Sequence, residues 1–320
     1  MQEEQKIENN TEKENTKTFA SSLKSMDTEE WLDIHFTRKV GYRIAKIAMF
    51  LRITPNMITI ASIFIGTFAG ILFYSERIKI NILGMLLLIL ANTFDSADGQ
   101  LARMTNNKTR LGRILDGLAG DIWFITIYLV LTLRVMHNGQ VSVIGIWAIA
   151  FFAGLSHILA ASMADYYRNV HLFFVNGVVG SEHDNSKSLT KDLKEMSFWK
   201  SPFKYTCMWF YRNYTKTQEA CSPNLQKFFK TLISTFGMKI PYDLRMDIRE
   251  KNRKYMPLTN ILQFNIRIIA LFISLFLHKV WLYFVFDIVV MNQILAWLIV
   301  FEERLFMKFE KKIKNGEYSE

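Results

Sequence analysis

Four aspartates stand within the 27 residues DSADGQLARMTNNKTRLGRILDGLAGD (95–121), in an otherwise strongly apolar half of the chain. On a helix, Asp95 and Asp98 share one face, and Gly112 and Asp116, four apart, share a face of the next. Gly99 and Ala102 remove bulk beside the acids, so a backbone or a ligand can come close. Carboxylates clustered at low dielectric cannot all ionise by themselves. A positive partner is required, and hard divalent cations, Mg²⁺ or Mn²⁺, suit all-oxygen ligation. Four carboxylates balance two such ions. Two neighbouring metals can clamp a phosphoryl or pyrophosphate group and stabilise its attacking and leaving oxygens, with Arg103 and Thr109 holding further phosphate oxygens. The bland alternative neutralises the aspartates with Arg103, Arg110 and Arg113 as structural ion pairs. It leaves the regular spacing and the paired small residues unexplained.

The elements that must position these acids are membrane spans. Half of the 320 residues are hydrophobic and 14% are aromatic, in long blocks. An aspartate at mid-span costs about 2.5 to 3.5 kcal/mol on insertion scales, so four are a liability of roughly 10 kcal/mol. Crossing the hydrocarbon takes about twenty apolar residues, and six stretches qualify: 56–75, 80–102, 112–133, 142–165, 260–277 and 280–301. Leu32, Phe36, Val40, Ile44, Ile47 and Leu51 recur every three or four residues among Arg38, Lys39, Arg43 and Lys46, the pattern of a basic interfacial helix. The expected fold is an all-α integral membrane protein, six transmembrane helices preceded by an amphipathic interfacial helix.

The chain divides into a polar, disordered tail (1–24) without a secretory signal, the juxtamembrane helix (25–54) and spans one to four (55–165). A basic insertion (166–258), spans five and six (259–302) and a basic tail (303–320) follow. Lys and Arg flank the N-terminal helix, the loop near Lys108 and Arg110, the insertion and the C-terminal tail, which places both termini in the cytoplasm. Asp95 and Asp116 then lie at matching depth, roughly 8 to 12 Å from the cytoplasmic turn. The net charge of +10 fits anionic lipid headgroups, not nucleic acid, because the basic residues flank apolar blocks. Cys207 and Cys221 build neither a zinc site nor a disulfide framework.

Asp95-x-x-Asp98-Gly99-x-x-Ala102-Arg103, then Gly112 and Asp116, resembles the signature of the CDP-alcohol phosphatidyltransferases, and Thr54 to Thr59 resembles that family's entry into the first span. The resemblance covers residues 30–165 well, 260–302 by topology alone, and leaves the insertion unexplained. It implies a membrane enzyme of phospholipid biosynthesis in which an alcohol acceptor attacks the phosphorus of a CDP-linked lipid and releases CMP. Asp95, Asp98 and Asp116 would hold two metals, while Gly99, Ala102, Arg103, Thr109, Gly112 and Asn56 to Thr59 would contact the CDP-lipid. The family pattern also asks for an aspartate four residues after Asp116. This chain has Gly120 there, and the acid is Asp121, the candidate base and fourth metal ligand. Three explanations stay open: a π-bulge between Asp116 and Asp121, another group as base over a three-acid site, or an inactive member. A homodimer is expected from the resemblance alone.

The leading reading transfers a phosphatidyl group from CDP-diacylglycerol to a small polar alcohol such as inositol phosphate or glycerol phosphate. A competitor within the family moves a phospho-amino-alcohol from a soluble CDP-alcohol to diacylglycerol. A divalent-cation transporter would instead place acids at mid-membrane and polar residues to the outer side; an inactive scaffold rests on Gly120 alone. Arg168 and Arg267 are candidates for an anionic acceptor, and helical rise argues against pairing Arg267 with Asp287. His157, on an apolar helix, reads as a satisfied core histidine. In the insertion, Ser222-Pro223 opens an amphipathic helix. Sixteen Lys and Arg against eight Asp and Glu interleave there with Trp199, Phe203, Tyr205, Trp209, Phe210, Tyr211 and Tyr214. That is the composition of an interface-seated subdomain, or of aromatics packed on the protein itself.

Overall fold

The computed structural model describes residues 27–107, 109–139, 142–177, 185–237 and 239–318, with 19, 22 and 25 besides. The remainder of the polar tail, residues 1–24, lies outside the described residues. Every regular element is helical among the described residues, and the chain forms two compact units, residues 1–146 and 147–320. Five helices are long and apolar enough to cross a membrane: 55–72, 78–104, 112–137, 143–176 and 281–314. The expected fifth of six spans is a shorter apolar helix, Phe264–Phe276. At 1.5 Å per residue its thirteen residues reach about 20 Å, short of a hydrocarbon core of about 30 Å.

In the first unit a π-helical turn (Asp33–Thr37) leads into α1 (Arg38–Phe50), followed by α2 (Pro55–Leu72), α3 (Ile78–Met104) and α4 (Arg110–His137). Pro55 opens α2 after an extended Thr54, where its fixed φ suits the first turn and its missing N–H is not needed. Helix α2 packs on both α3 and α4. Its Gly66 and Gly70 share a face: a Cβ on Gly66 would fall 2.4 Å from the Trp123 ring, and one on Gly70 3.2 Å from Thr126. These glycines let α4 lie close enough to α2 to set its rotation. At the far end Arg134, buried, donates to the Phe73 carbonyl at 2.8 Å and closes the last turn of α2.

Helix α1 lies on the C-terminal part of α3, with Ala45 and Ala48 against Ala97, Leu101 and Ile58. Arg38 donates to Ser96 Oγ at 3.1 Å, and Gln100 donates to the Arg38 carbonyl at 3.0 Å. Leu32, Phe36, Ile47 and Leu51 remain exposed. Of the apolar stripe read from the sequence, Ile44 packs against this core while those four stay outward. The end of the tail also makes contacts that its polar composition did not announce: Phe19 meets Tyr42 edge-on at 5.7 Å, and Ser22 is buried.

The second unit holds most of α5 (Val143–Asn176), then α6 (Ser186–Glu195), α7 (Pro202–Cys221), α8 (Pro223–Phe236), α9 (Tyr242–Arg253), α10 (Met256–Ile261) and α11 (Phe264–Phe276). It closes with α12 (Trp281–Val285), a π-helical segment (Phe286–Met291) and α13 (Asn292–Lys314). Helix α5 runs unbroken past Asp165, so the insertion begins as an extension of a span. The core is aromatic: Phe173, Phe174, Phe228, Phe229 and Phe306 pack together, with α8 against α13. Glu303 of α13 accepts from the backbone N–H groups of Asn224 and Leu225 at 2.8 and 3.2 Å. A carboxylate there satisfies two orphan donors at the N-terminus of α8 and faces the positive end of its dipole. Asn252 of α9 donates to Glu302 at 2.9 Å, and Gln218 of α7 to the Ser162 carbonyl of α5 at 2.9 Å. The insertion is thus bound to the long helices by buried polar contacts as well as by phenylalanines.

Candidate active site

Three elements of the first unit bring the site together: the first turns of α2, the last turns of α3 and the first turns of α4. Asp95 and Asp98 on α3 and Asp116 on α4 each offer a carboxylate oxygen, and these oxygens lie within 4.8 Å of one another. This is the one group of three or more such ligands among the described residues. Asp98 is almost fully buried, and Thr59 of α2 donates a short hydrogen bond to its Oδ2. Three carboxylates this close, partly removed from water, repel one another unless a proton or a cation intervenes. Oxygen donors from two helices at this separation fit a hard divalent ion.

The other residues expected at the site surround this group. Thr109 stands at the N-cap of α4, its hydroxyl accepting from Gly112 N at 2.9 Å, which leaves the hydroxyl proton to give elsewhere. A Cβ on Gly112 would fall 2.9 Å from Thr109 Oγ1 and 3.1 Å from Asn56 Oδ1. Gly112 is therefore the residue that lets the first turns of α2 and α4 meet. The guanidinium of Arg103 lies against Gly99, 3.4 Å from where a Cβ would be, and its Nε donates to the Ser22 carbonyl. Ala102, half-buried, lies one turn along α3. Spacing along the chain gave no signal for the Arg38 to Ser96 contact beside Asp95 or for the Ser22 carbonyl at Arg103, because both partners lie far away in sequence.

Asp121 is not part of the group. The π-bulge that would bring it round is absent, since α4 runs as an α-helix from Arg110 to His137. Five residues of regular helix turn Asp121 about 140° from Asp116. At Gly120 an added Cβ would meet nothing within 4 Å.

The two acceptor candidates lie in the second unit. Arg168 donates to Asp165 at 2.9 Å and to Gln263 at 3.0 Å. Arg267 is 1% exposed, and its Nη1 is bonded to Asp287, itself 0% exposed. The pairing that helical rise argued against is present. Counted from the turn between α11 and α12, Arg267 and Asp287 differ in height by only about 5 Å at 1.5 Å per residue. An arginine side chain spans that, and Asp287 sits in the π-helical segment, where one extra residue per turn shifts the register.

Residues 52–172 match the family model of the CDP-alcohol phosphatidyltransferases. The matched stretch takes in every residue of the site from Asn56 to Asp116, and the family so matched comprises phosphotransferases of substituted phosphate groups. A protein of Aquifex aeolicus (strain VF5) described as uncharacterized is 41% identical over 64 residues. That similarity covers 20% of this chain, and the chain spans 31% of the relative.

Proposed function

We propose that the chain transfers a phosphatidyl group from CDP-diacylglycerol to a small polar alcohol and releases CMP. The observation that carries this reading is the convergence of Asp95, Asp98 and Asp116 within 4.8 Å, inside the family-matched stretch and beside Thr59, Arg103 and Thr109. Asp95, Asp98 and Asp116 would hold two divalent ions, which when bound neutralise a pyrophosphate and polarise the phosphorus under attack. Arg103 and the Thr109 hydroxyl supply donors for phosphate oxygens. Thr59 fixes the Asp98 carboxylate by its hydrogen bond, as outer-shell partners of metal ligands do. A carboxylate of the group takes the acceptor's hydroxyl proton as the new P–O bond forms and the pyrophosphate P–O bond breaks. Asp121 carries neither metal nor proton in this reading.

The depth of the cluster supports transfer over cation transport. Asp95 lies about 14 Å from the end of α3 and Asp116 about 9 Å from the start of α4, at 1.5 Å per residue, so the acids gather near one end of the spans. Cytoplasmic termini, a sixth span through α11, an interfacial seat for α1 and a homodimer belong to the same reading. The test is CMP release by purified protein in lipid, given CDP-diacylglycerol, Mn²⁺ or Mg²⁺ and a panel of alcohols including inositol phosphate, glycerol phosphate and diacylglycerol. Release should need both the metal and one alcohol of the panel. Turnover undiminished by a chelator would overturn the metal site, and loss of turnover in Asp121→Asn would return the proton-transfer role to Asp121.

A further inference from the structure

The insertion exposes aromatic rings where a soluble surface would bury them. Trp199 is 90% exposed, Phe203 63% and Phe210 53%, with Phe198 and Trp209 also exposed. On α7, Phe203, Trp209 and Phe210 project within a sector of about 120° at 100° per residue. The opposite side carries the buried Cys207, Met208, Thr215 and Gln218. Lys200, exposed, stands beside Trp199 in the turn before α7. Exposed tryptophan beside lysine marks the membrane–water boundary, where the ring sits at headgroup level and the ammonium meets lipid phosphate.

What covers this face follows from where α7 is anchored. The C-terminal part of α7 is joined to α5 by the buried Gln218 to Ser162 hydrogen bond, and Ser222 just beyond it pairs with Tyr167 of α5 at 2.8 Å. Helix α5 is one of the five long enough to span. Its residues 162–167 lie where the expected span ends, so α7 leaves that helix at the level of the headgroups. Its excess of basic residues gives the insertion the sign that an anionic leaflet attracts.

We propose that the aromatic face of α7, with the Phe198-Trp199-Lys200 turn before it, docks on the anionic leaflet of the bilayer that the chain spans. The inference rests on the spanning helices and is independent of the transfer chemistry.

The experiment uses the full chain in nanodiscs that hold one copy, made of anionic and zwitterionic lipids with acyl chains brominated near the carbonyl. The fluorescence of Trp199 and Trp209 is read as the difference between the protein and its W199F/W209F variant. A bromine-quenched, acrylamide-protected difference signal is expected in anionic discs, with loss of bromine quenching in the exposed-lysine variant K200E. Trp147, Trp281 and Trp297, exposed on the spanning helices, should stay bromine-quenched in that variant and so report an intact fold. Quenching by acrylamide but not by bromine in anionic discs would overturn the proposal. So would protection that appears only in discs holding two copies, which would make a second copy of this chain the occupant.

Discussion

Both units place charged side chains on helices long enough to cross a membrane, and they answer the cost differently. In the first, Asp95, Asp98 and Asp116 turn toward one another from two helices, so like charge meets like charge. In the second, Asp287 meets Arg267, Glu303 meets the N-terminal N–H groups of α8, and Glu302 meets the amide of Asn252. The second arrangement gives each acid a donor from another helix and so ties helices together. The first gathers three carboxylate oxygens within 4.8 Å of one another, a donor set that suits a hard divalent ion.

The comparison breaks most decisively at Asp116. If that carboxylate serves a metal, Asp116→Asn should lower CMP release on the order of a thousandfold, about 4 kcal/mol, with little change in unfolding temperature. Full turnover in the variant would place Asp116 among the structural acids. Arg267→Ala should do the opposite. It leaves a buried carboxylate unpaired and should cost about 3 kcal/mol of stability or somewhat more, read by unfolding in detergent. The paired replacement Arg267→Met with Asp287→Leu should recover most of that loss. A raised KM for an anionic acceptor with unfolding unchanged would instead return Arg267 to substrate binding.

Smaller effects sharpen the picture. Thr59→Val removes the hydrogen bond to Asp98 and should raise the Mn²⁺ concentration for half-maximal turnover by about 10- to 100-fold, measured by metal titration. At the surface, Asp247 on α9 accepts from Tyr318 at 2.7 Å and lies 3.4 Å from Lys251. These contacts hold its carboxyl below the usual range, the Tyr318 hydrogen bond contributing most. A group with a depressed folded pKa stabilises above its unfolded value and loses that contribution as pH falls through the folded one. Asp247→Asn should therefore cost under about 1 kcal/mol at neutral pH, given its exposure. The difference from the parent protein should begin to shrink below about pH 4 and vanish once the pH is below the depressed folded value. A difference persisting in acid would mean that packing, not charge, holds this corner.

The local features were legible because they depend on spacing along one helix. The Asp95 and Asp98 face and the Gly112 and Asp116 face both follow from 3.6 residues per turn. The apolar blocks announced five of the helices that can span. The stretch 260–277 holds a shorter helix than expected, because one helix ends at Ile261 and the next begins at Phe264. Asp121 was harder: the sequence showed that an acid had moved by one place, but not whether the helix would bulge to recover it.

Composition and periodicity alone determined that this chain is helical and rich in apolar spans, and that Asp95 shares a helix face with Asp98 and Gly112 with Asp116. Only the tertiary structure decided that Thr59 holds Asp98, that Arg267 belongs to Asp287, that Glu303 caps α8 and that the rings of α7 stay uncovered. Each of those depends on the rotation and height of one helix against another. That is set by close contacts such as Gly66 on Trp123 and by a π-helical step at Asp287, and a residue's position in the chain does not encode it.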